Sequence, residues 1–188
     1  MFPPFNASGV LPPYVGNDPG VPAACSPYKT DLLTVAQRFA NSSERADILS
    51  GFIDYRAELK KAGISAGFQI LDGSFIEDCE LTRGRPPGDL DLVTFAYLPV
   101  PPHELPQYVQ DHRNLFDRES TKRLYKCDAF FVDLAKDSRL IVADTIYWGG
   151  LFSHQRDTFM WKGMLQISLD TNKDVDVVAT LNREVQGD

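Results

Sequence analysis

Apolar positions recur along the chain at two different spacings, and the change of spacing marks its elements. After Thr30, Leu32, Val35, Ala36 and Phe39 fall at i, i+3, i+4 and i+7, one face of a helix. A second stripe, Leu49, Phe52, Ile53 and Leu59, follows the capping run Asn41-Ser42-Ser43, and Gly63 supplies a stop. Gly67 to Leu71 is short and apolar and predicts a buried strand. Ser74 then predicts the cap of a helix beginning at Phe75, because Glu77 stands three residues on, as a capping box requires. Leu90 to Leu98 predicts a second strand, ended by Pro99, Pro101 and Pro102, and Cys127 to Leu134 a third. Between them, His103 to Tyr125 is charged and tolerant of helix, with Leu105, Tyr108, Val109, Leu115, Phe116 and Leu124 available for packing. Ile141 to Tyr147 predicts a further strand, Met164 to Leu169 a last strand or short helix, and the tail beyond Thr171 is charged.

The first 27 residues break both spacings. They hold seven prolines and Gly9, Gly16 and Gly20, a composition that sustains neither a helix nor a central strand. The expectation is an extended arm over residues 1–29, wrapped on the domain through Phe2, Phe5 and Tyr14, and a single domain over residues 30–188. That domain is expected to be α/β (α+β), with a mixed central sheet of four or five strands flanked by helices. A chain of 188 residues that is 43% hydrophobic is long enough for one core.

Charge narrows the partners. A net charge of −7 disfavours a broad phosphate-neutralising face, so a long nucleic acid is not expected, whereas a small nucleotide carried with Mg²⁺ is compatible. Cys25, Cys79 and Cys127 are odd in number and lie at no metal-ligand spacing, which reads as reduced thiols in a cytoplasmic protein. No apolar run is long enough to span a bilayer, and the N-terminus lacks the basic start of a signal peptide.

Candidate chemistry concentrates in Asp72-Gly73-Ser74-Phe75 and Asp89-Leu90-Asp91-Leu92. Residues i and i+2 of a strand point to one face, so Asp89 and Asp91 aim together, and carboxylates are the hard ligands that magnesium takes. Asp128, at the start of the third strand, is the candidate third carboxylate, with Asp133 on the opposite face as its substitute. Gly73-Ser74 would let phosphate oxygens approach the backbone, and Ser74 would add a hydroxyl. Arg83 and Arg85, in the Gly/Pro-rich loop before Asp89, are candidate phosphate partners. The bland alternatives are a strand end, a tight turn and a solvated loop, and for Lys122, Arg123 and Lys126 a solvated helix face. Arg156 and Lys162, near Trp148, Phe159 and Trp161, suit either base stacking or ordinary packing. His103, His112 and His154 have no partner at ligand spacing, and Ser74 lacks a Gly-x-Ser-x-Gly elbow.

In their order, these motifs resemble the DNA polymerase β-like nucleotidyltransferase superfamily: Gly-Ser, a spacer, Asp-apolar-Asp, then a later strand with a third Asp. The chain is similar in particular to a small bacterial family of minimal nucleotidyltransferase-like proteins, through Leu11-Pro12-Pro13, Asp72 to Phe75, Asp128 to Val132 and Lys162-Gly163. Fourteen residues separate Ser74 from Asp89, a longer spacer than is usual there, and only 60 residues follow Asp128, too few for a separate base-binding domain. The resemblance implies transfer of a nucleoside monophosphate from an NTP, ATP being the expected one, to an unidentified acceptor. It implies Asp89, Asp91 and Asp128 as catalytic and Mg²⁺ (or Mn²⁺) ligands and Gly73 and Ser74 on the phosphates, while Arg83 and Arg85, in the extra length of the spacer, stay candidates by their guanidinium chemistry alone. It also places such a core among toxin–antitoxin and phage-defence proteins. The alternative is a catalytically silent nucleotide-binding module acting with a protein partner or a second copy. A metal-dependent phosphohydrolase is the third reading, and its usual His ligands are missing.

Overall fold

A five-stranded mixed sheet organises the computed structural model, which describes residues 2–170 together with Asp174 and Val177. The strands are β1 (Tyr28–Thr30), β2 (Gly67–Asp72), β3 (Leu90–Ala96), β4 (Cys127–Asp133) and β5 (Leu165–Ser168), laid side by side in the order β1-β5-β2-β3-β4. β2 is antiparallel to both neighbours, β3 and β5, whereas β3 runs parallel to β4 and β1 parallel to β5. The charged tail predicted beyond Thr171 lies outside the described residues, apart from Asp174 and Val177.

Helices α1 (Leu32–Phe39) and α2 (Ser43–Lys61) form where the apolar stripes place them. Asp31 and Ser42 cap them through the N–H of Thr34 and of Arg45, and Leu32, Val35, Ala36, Phe39, Leu49, Phe52, Ile53 and Leu59 are buried. α2 packs on β3, β4, α5 (Arg113–Phe116) and α6 (Arg118–Tyr125). A buried polar network crosses this core. Arg56 donates to Asp174 at 2.8 Å and to Gln69 at 2.7 Å, and Gln69 donates onward to Thr94 at 3.0 Å, so each buried polar group has a partner. The region from His103 to Tyr125 forms α4 (Leu105–Asp111), α5 and α6, as its composition predicts, though Val109 and Leu124 stay exposed.

Four expectations are corrected. Ile141 to Tyr147 is not a strand but part of α7 (Ser138–Phe152), capped by the Asp137 carboxylate. Its β-branched run is overridden because α7 covers the outer face of β4, with Trp148 4.5 Å from Phe130 between ring centres. β3 stops at Ala96 rather than Leu98. No capping box forms at Ser74: Gly73 precedes a single 3-10 turn, Ser74–Ile76, with no side-chain cap, and Glu77 is buried elsewhere. The helix proper, α3 (Cys79–Arg83), is capped by Asp78 instead. Finally, the arm is more than a wrapping: residues 28–30 form edge strand β1, and Phe2, Val10 and Leu11 are buried, with Phe2 stacked on Phe39. Phe5 packs partly against the core, while Tyr14 stays 39% exposed. The three cysteines are unpaired, as expected.

Candidate active site

Register brings the acidic residues together. Asp72, last in β2, pairs across the ladder with Asp91 of β3, and Asp91 pairs with Asp128 of β4, so three carboxylates line up on one face across three strands. Asp89 immediately precedes β3, two residues before Asp91, and Lys122 bridges its carboxylate to that of Asp128. Asp133, odd against Asp128, faces the other way, and its carboxylate accepts from the N–H of Ala135.

The turn after β2 is shaped around Asp91. Gly73 has φ +79°, and a Cβ there would lie 1.9 Å from Asp91 Oδ2, so the glycine vacates space that the Asp91 carboxylate fills. Ser74 is half-buried, and no hydrogen bond of its hydroxyl occurs among the described residues. Beneath the turn, Arg45 of α2 donates to the carbonyls of Phe75 and Glu77, both at 2.6 Å, and to the Glu80 carboxylate. This buried guanidinium ties the turn to the core.

Sequence reasoning gave Lys162 no firm role, yet it is 3% exposed and sits between two acids. Its Nζ lies 2.7 Å from Glu77 Oε1 and 3.0 Å from Asp72 Oδ1, the second contact an ion pair outside hydrogen-bond geometry. Gln155 and Arg83 donate to the other oxygen of Glu77, at 2.9 and 2.8 Å. Burial, reinforced by Asp91, pushes the Asp72 carboxyl up to about 7 against the pull of Lys162. Arg83 is thus committed to Glu77, and among the described residues Arg85 bonds only the carbonyl of Pro86. Neither contacts the carboxylate row.

The cations at the row come from α6 instead. Arg118 grips Asp128 with both arms, Nε to Oδ1 and Nη2 to Oδ2, each at 2.5 Å. Lys122, one turn on, lies 2.9 Å from Asp128 Oδ2 and 3.1 Å from Asp89 Oδ2, bridging the two. Burial of Asp128 opposes its ionisation, but these bonds outweigh it and hold its carboxyl below the usual range. Asp91 has no such partner among the described residues. Burial, then the charges of Asp89 and Asp128, push its carboxyl up to about 6. Sequence reading set Lys122 on a solvated helix face and passed over Arg118; their i, i+4 spacing on a helix was the signal that could have paired them, though not their target. Lys126 pairs with Asp47, Trp148 is packed on Phe130, and Phe159 and Trp161 are largely exposed.

For a divalent cation the donor set fits in chemistry: three carboxylates, with Asp91 making no hydrogen bond among the described residues. In their present arrangement they are closed. Among the described residues no three His, Cys, Asp or Glu side chains gather as a cation cage, and the Lys122 ammonium lies between Asp89 and Asp128.

The fold and site define an α/β protein whose sheet carries, at the C-terminal end of β2 and the N-terminal ends of β3 and β4, a carboxylate row neutralised by two cations. Among the described residues no helix is long and apolar enough to cross a membrane. The chain belongs to DUF6932, a family of unknown function whose model matches residues 3–168. No curated protein and no solved structure matches it.

Proposed function

We propose that the chain is a nucleotidyltransferase that moves a nucleoside monophosphate from an NTP, with ATP the expected donor, to an acceptor in the presence of Mg²⁺ or Mn²⁺. The observation that carries this reading is the in-register row of Asp72, Asp91 and Asp128 beside the positive-φ turn at Gly73-Ser74. Asp89, Asp91 and Asp128 would hold the cation, which when bound supplies charge neutralisation at the transferring phosphorus and lowers the pKa of the acceptor hydroxyl. The chain's own residues do the rest. The Ser74 hydroxyl donates to a phosphate oxygen. Arg118 and Lys122, once they leave the carboxylates, present donors suited to phosphate oxygens. Lys162 and Arg45 hold the turn still, so alignment needs little reorganisation.

A second reading, a nucleotide-binding module without turnover, is favoured by one observation: Arg118 and Lys122 already neutralise Asp128 and Asp89. Incubation with each labelled NTP and Mn²⁺ separates the two. Pyrophosphate release that disappears in Asp91→Asn supports transfer; tight nucleotide binding without any pyrophosphate supports the module. An Asp91→Asn protein that binds Mn²⁺ and NTP like the parent removes both.

A further inference from the structure

The face of the sheet that ends in Asp72 and Asp91 continues, away from them, as the floor of an open cavity of about 620 Å³. Phe68, Ile70 and Phe95 form that floor at alternate strand positions, with Gln166 of β5 opposite Ile70. α7 makes one wall through Trp148 and Gly149, and the proline-rich arm makes another. This is the size and lining of a small-molecule site, apolar walls with few polar groups.

Three features go beyond an ordinary packing defect. Gly149 stands near the end of α7, where glycine disfavours helix, yet a Cβ there would meet nothing within 4 Å. Close packing does not explain it, and the residue stands in the cavity's lining. Trp161 lines the same cavity while 64% exposed, a large apolar surface left without cover. The Gln166 carboxamide, on the floor, makes no side-chain hydrogen bond among the described residues, so its donors and acceptor are available to a ligand.

Charge sets the ligand's character. Among the described residues Lys162 is the one charged residue lining the cavity, and it is engaged by Asp72 and Glu77. An anion therefore finds no free counter-charge there, and a neutral ring with a hydrogen-bonding edge suits aromatic walls and a carboxamide. We infer that this cavity is a ring-binding subsite that takes a neutral, planar heteroaromatic group. The contact between Lys162 and Asp72, the residue before Gly73-Ser74, joins it to the phosphate turn, so the ring belongs either to the donor nucleotide's base or to a separate acceptor. The inference rests on the nucleotidyl-transfer reading only for that choice of source.

The test uses adenosine and 2-naphthol as neutral probes and ATP–Mn²⁺ as the charged one, followed by quenching of Trp148 and Trp161 fluorescence and by ligand-observed NMR. The parent protein is expected to bind both neutral probes with millimolar or tighter Kd. Gly149→Phe, which fills the cavity, weakens both at least tenfold, and Thr145→Phe from the same wall serves if that variant does not fold. Gln166→Leu weakens adenosine at least threefold and leaves 2-naphthol within twofold. If ATP weakens by the same factor as adenosine in Gly149→Phe, the ring is the nucleotide's base; if ATP is unchanged, it is a separate acceptor's. Absence of neutral-probe binding to the parent, or unchanged binding in a folded cavity-filled variant, overturns the subsite. Binding of 2-naphthol that persists when no NTP binds leaves the subsite standing and removes the nucleotidyl-transfer reading.

Discussion

At the scale of the residue, the site is a balance of charges in which each carboxylate has a different neighbour. Asp128 is held ionised by Arg118 and Lys122, while Asp91, half-buried and with no ion pair among the described residues, is pushed up to about 6 by desolvation and by Asp89 and Asp128. Replacing Lys122 with Met keeps the apolar stem and removes the ammonium that bridges Asp89 and Asp128. Because Lys122 is about one-third exposed and its pairs are screened, the gain is modest: Mn²⁺ affinity without nucleotide, read by titration calorimetry or EPR, is expected to rise about three- to tenfold. An unchanged affinity would mean that Lys122 does not compete for the site. Asp72 gives a stability signature. Its folded carboxyl, at about 7, lies above its ordinary 3.8, so the native state binds a proton the unfolded chain releases. Its contribution is fully present below about pH 4 and is lost as pH rises toward 7. Urea unfolding from pH 4 to 7.5 should show a smaller decline in Asp72→Asn than in the parent. Gly73→Ala combines a strained positive φ with a Cβ driven into Asp91 Oδ2; a loss of about 2 kcal/mol or more is expected in the same assay.

At the scale of the element, the regular pieces were legible wherever one periodic stripe met one core. The stripe from Leu32 to Phe39 and that from Leu49 to Leu59 became α1 and α2 for that reason. Segments whose faces are shared between neighbours were misread. Ile141 to Tyr147 carries strand-like residues, but Asp137 starts a helix and Trp148 anchors it on β4. The Ser74 box failed because Glu77, its expected reciprocal partner, is drawn into the ion cluster with Lys162 and Arg83, residues remote or off-register in sequence. Arg45 shows how an element positions the site from a distance. Its guanidinium holds the turn's carbonyls and Glu80, and Arg45→Met leaves two buried carbonyls and the partly exposed Glu80 carboxylate without it. A destabilisation of about 3 kcal/mol is expected, with weaker ATP–Mn²⁺ binding in the protein that remains folded, measured by urea unfolding and calorimetry.

At the scale of the whole molecule, the arm turns out to be structural. Phe2, Val10 and Leu11 are buried, and the carbonyl of Pro12 accepts from the Tyr28 hydroxyl at 2.8 Å. A chain lacking residues 1–15 exposes Phe39 and opens one wall of the cavity. Its melting temperature should fall by 10 °C or more, from a loss of about 3 kcal/mol or more, checked by thermal circular dichroism. Sequence by itself determined the mixed α/β class, the two opening helices and three of the five strands, left Met164 to Leu169 between strand and short helix, and singled out Asp89, Asp91 and Asp128 as candidates. All of these follow from local spacing, because alternation and helical stripes report which face each residue takes. Only the tertiary structure decided which charges meet. It set Asp72 beside Asp91, brought Arg118 and Lys122 onto the carboxylates, and buried Lys162 between Asp72 and Glu77. Those pairings join residues up to 90 positions apart, as Asp72 and Lys162 are, and depend on strand order and helix docking, which no local pattern encodes.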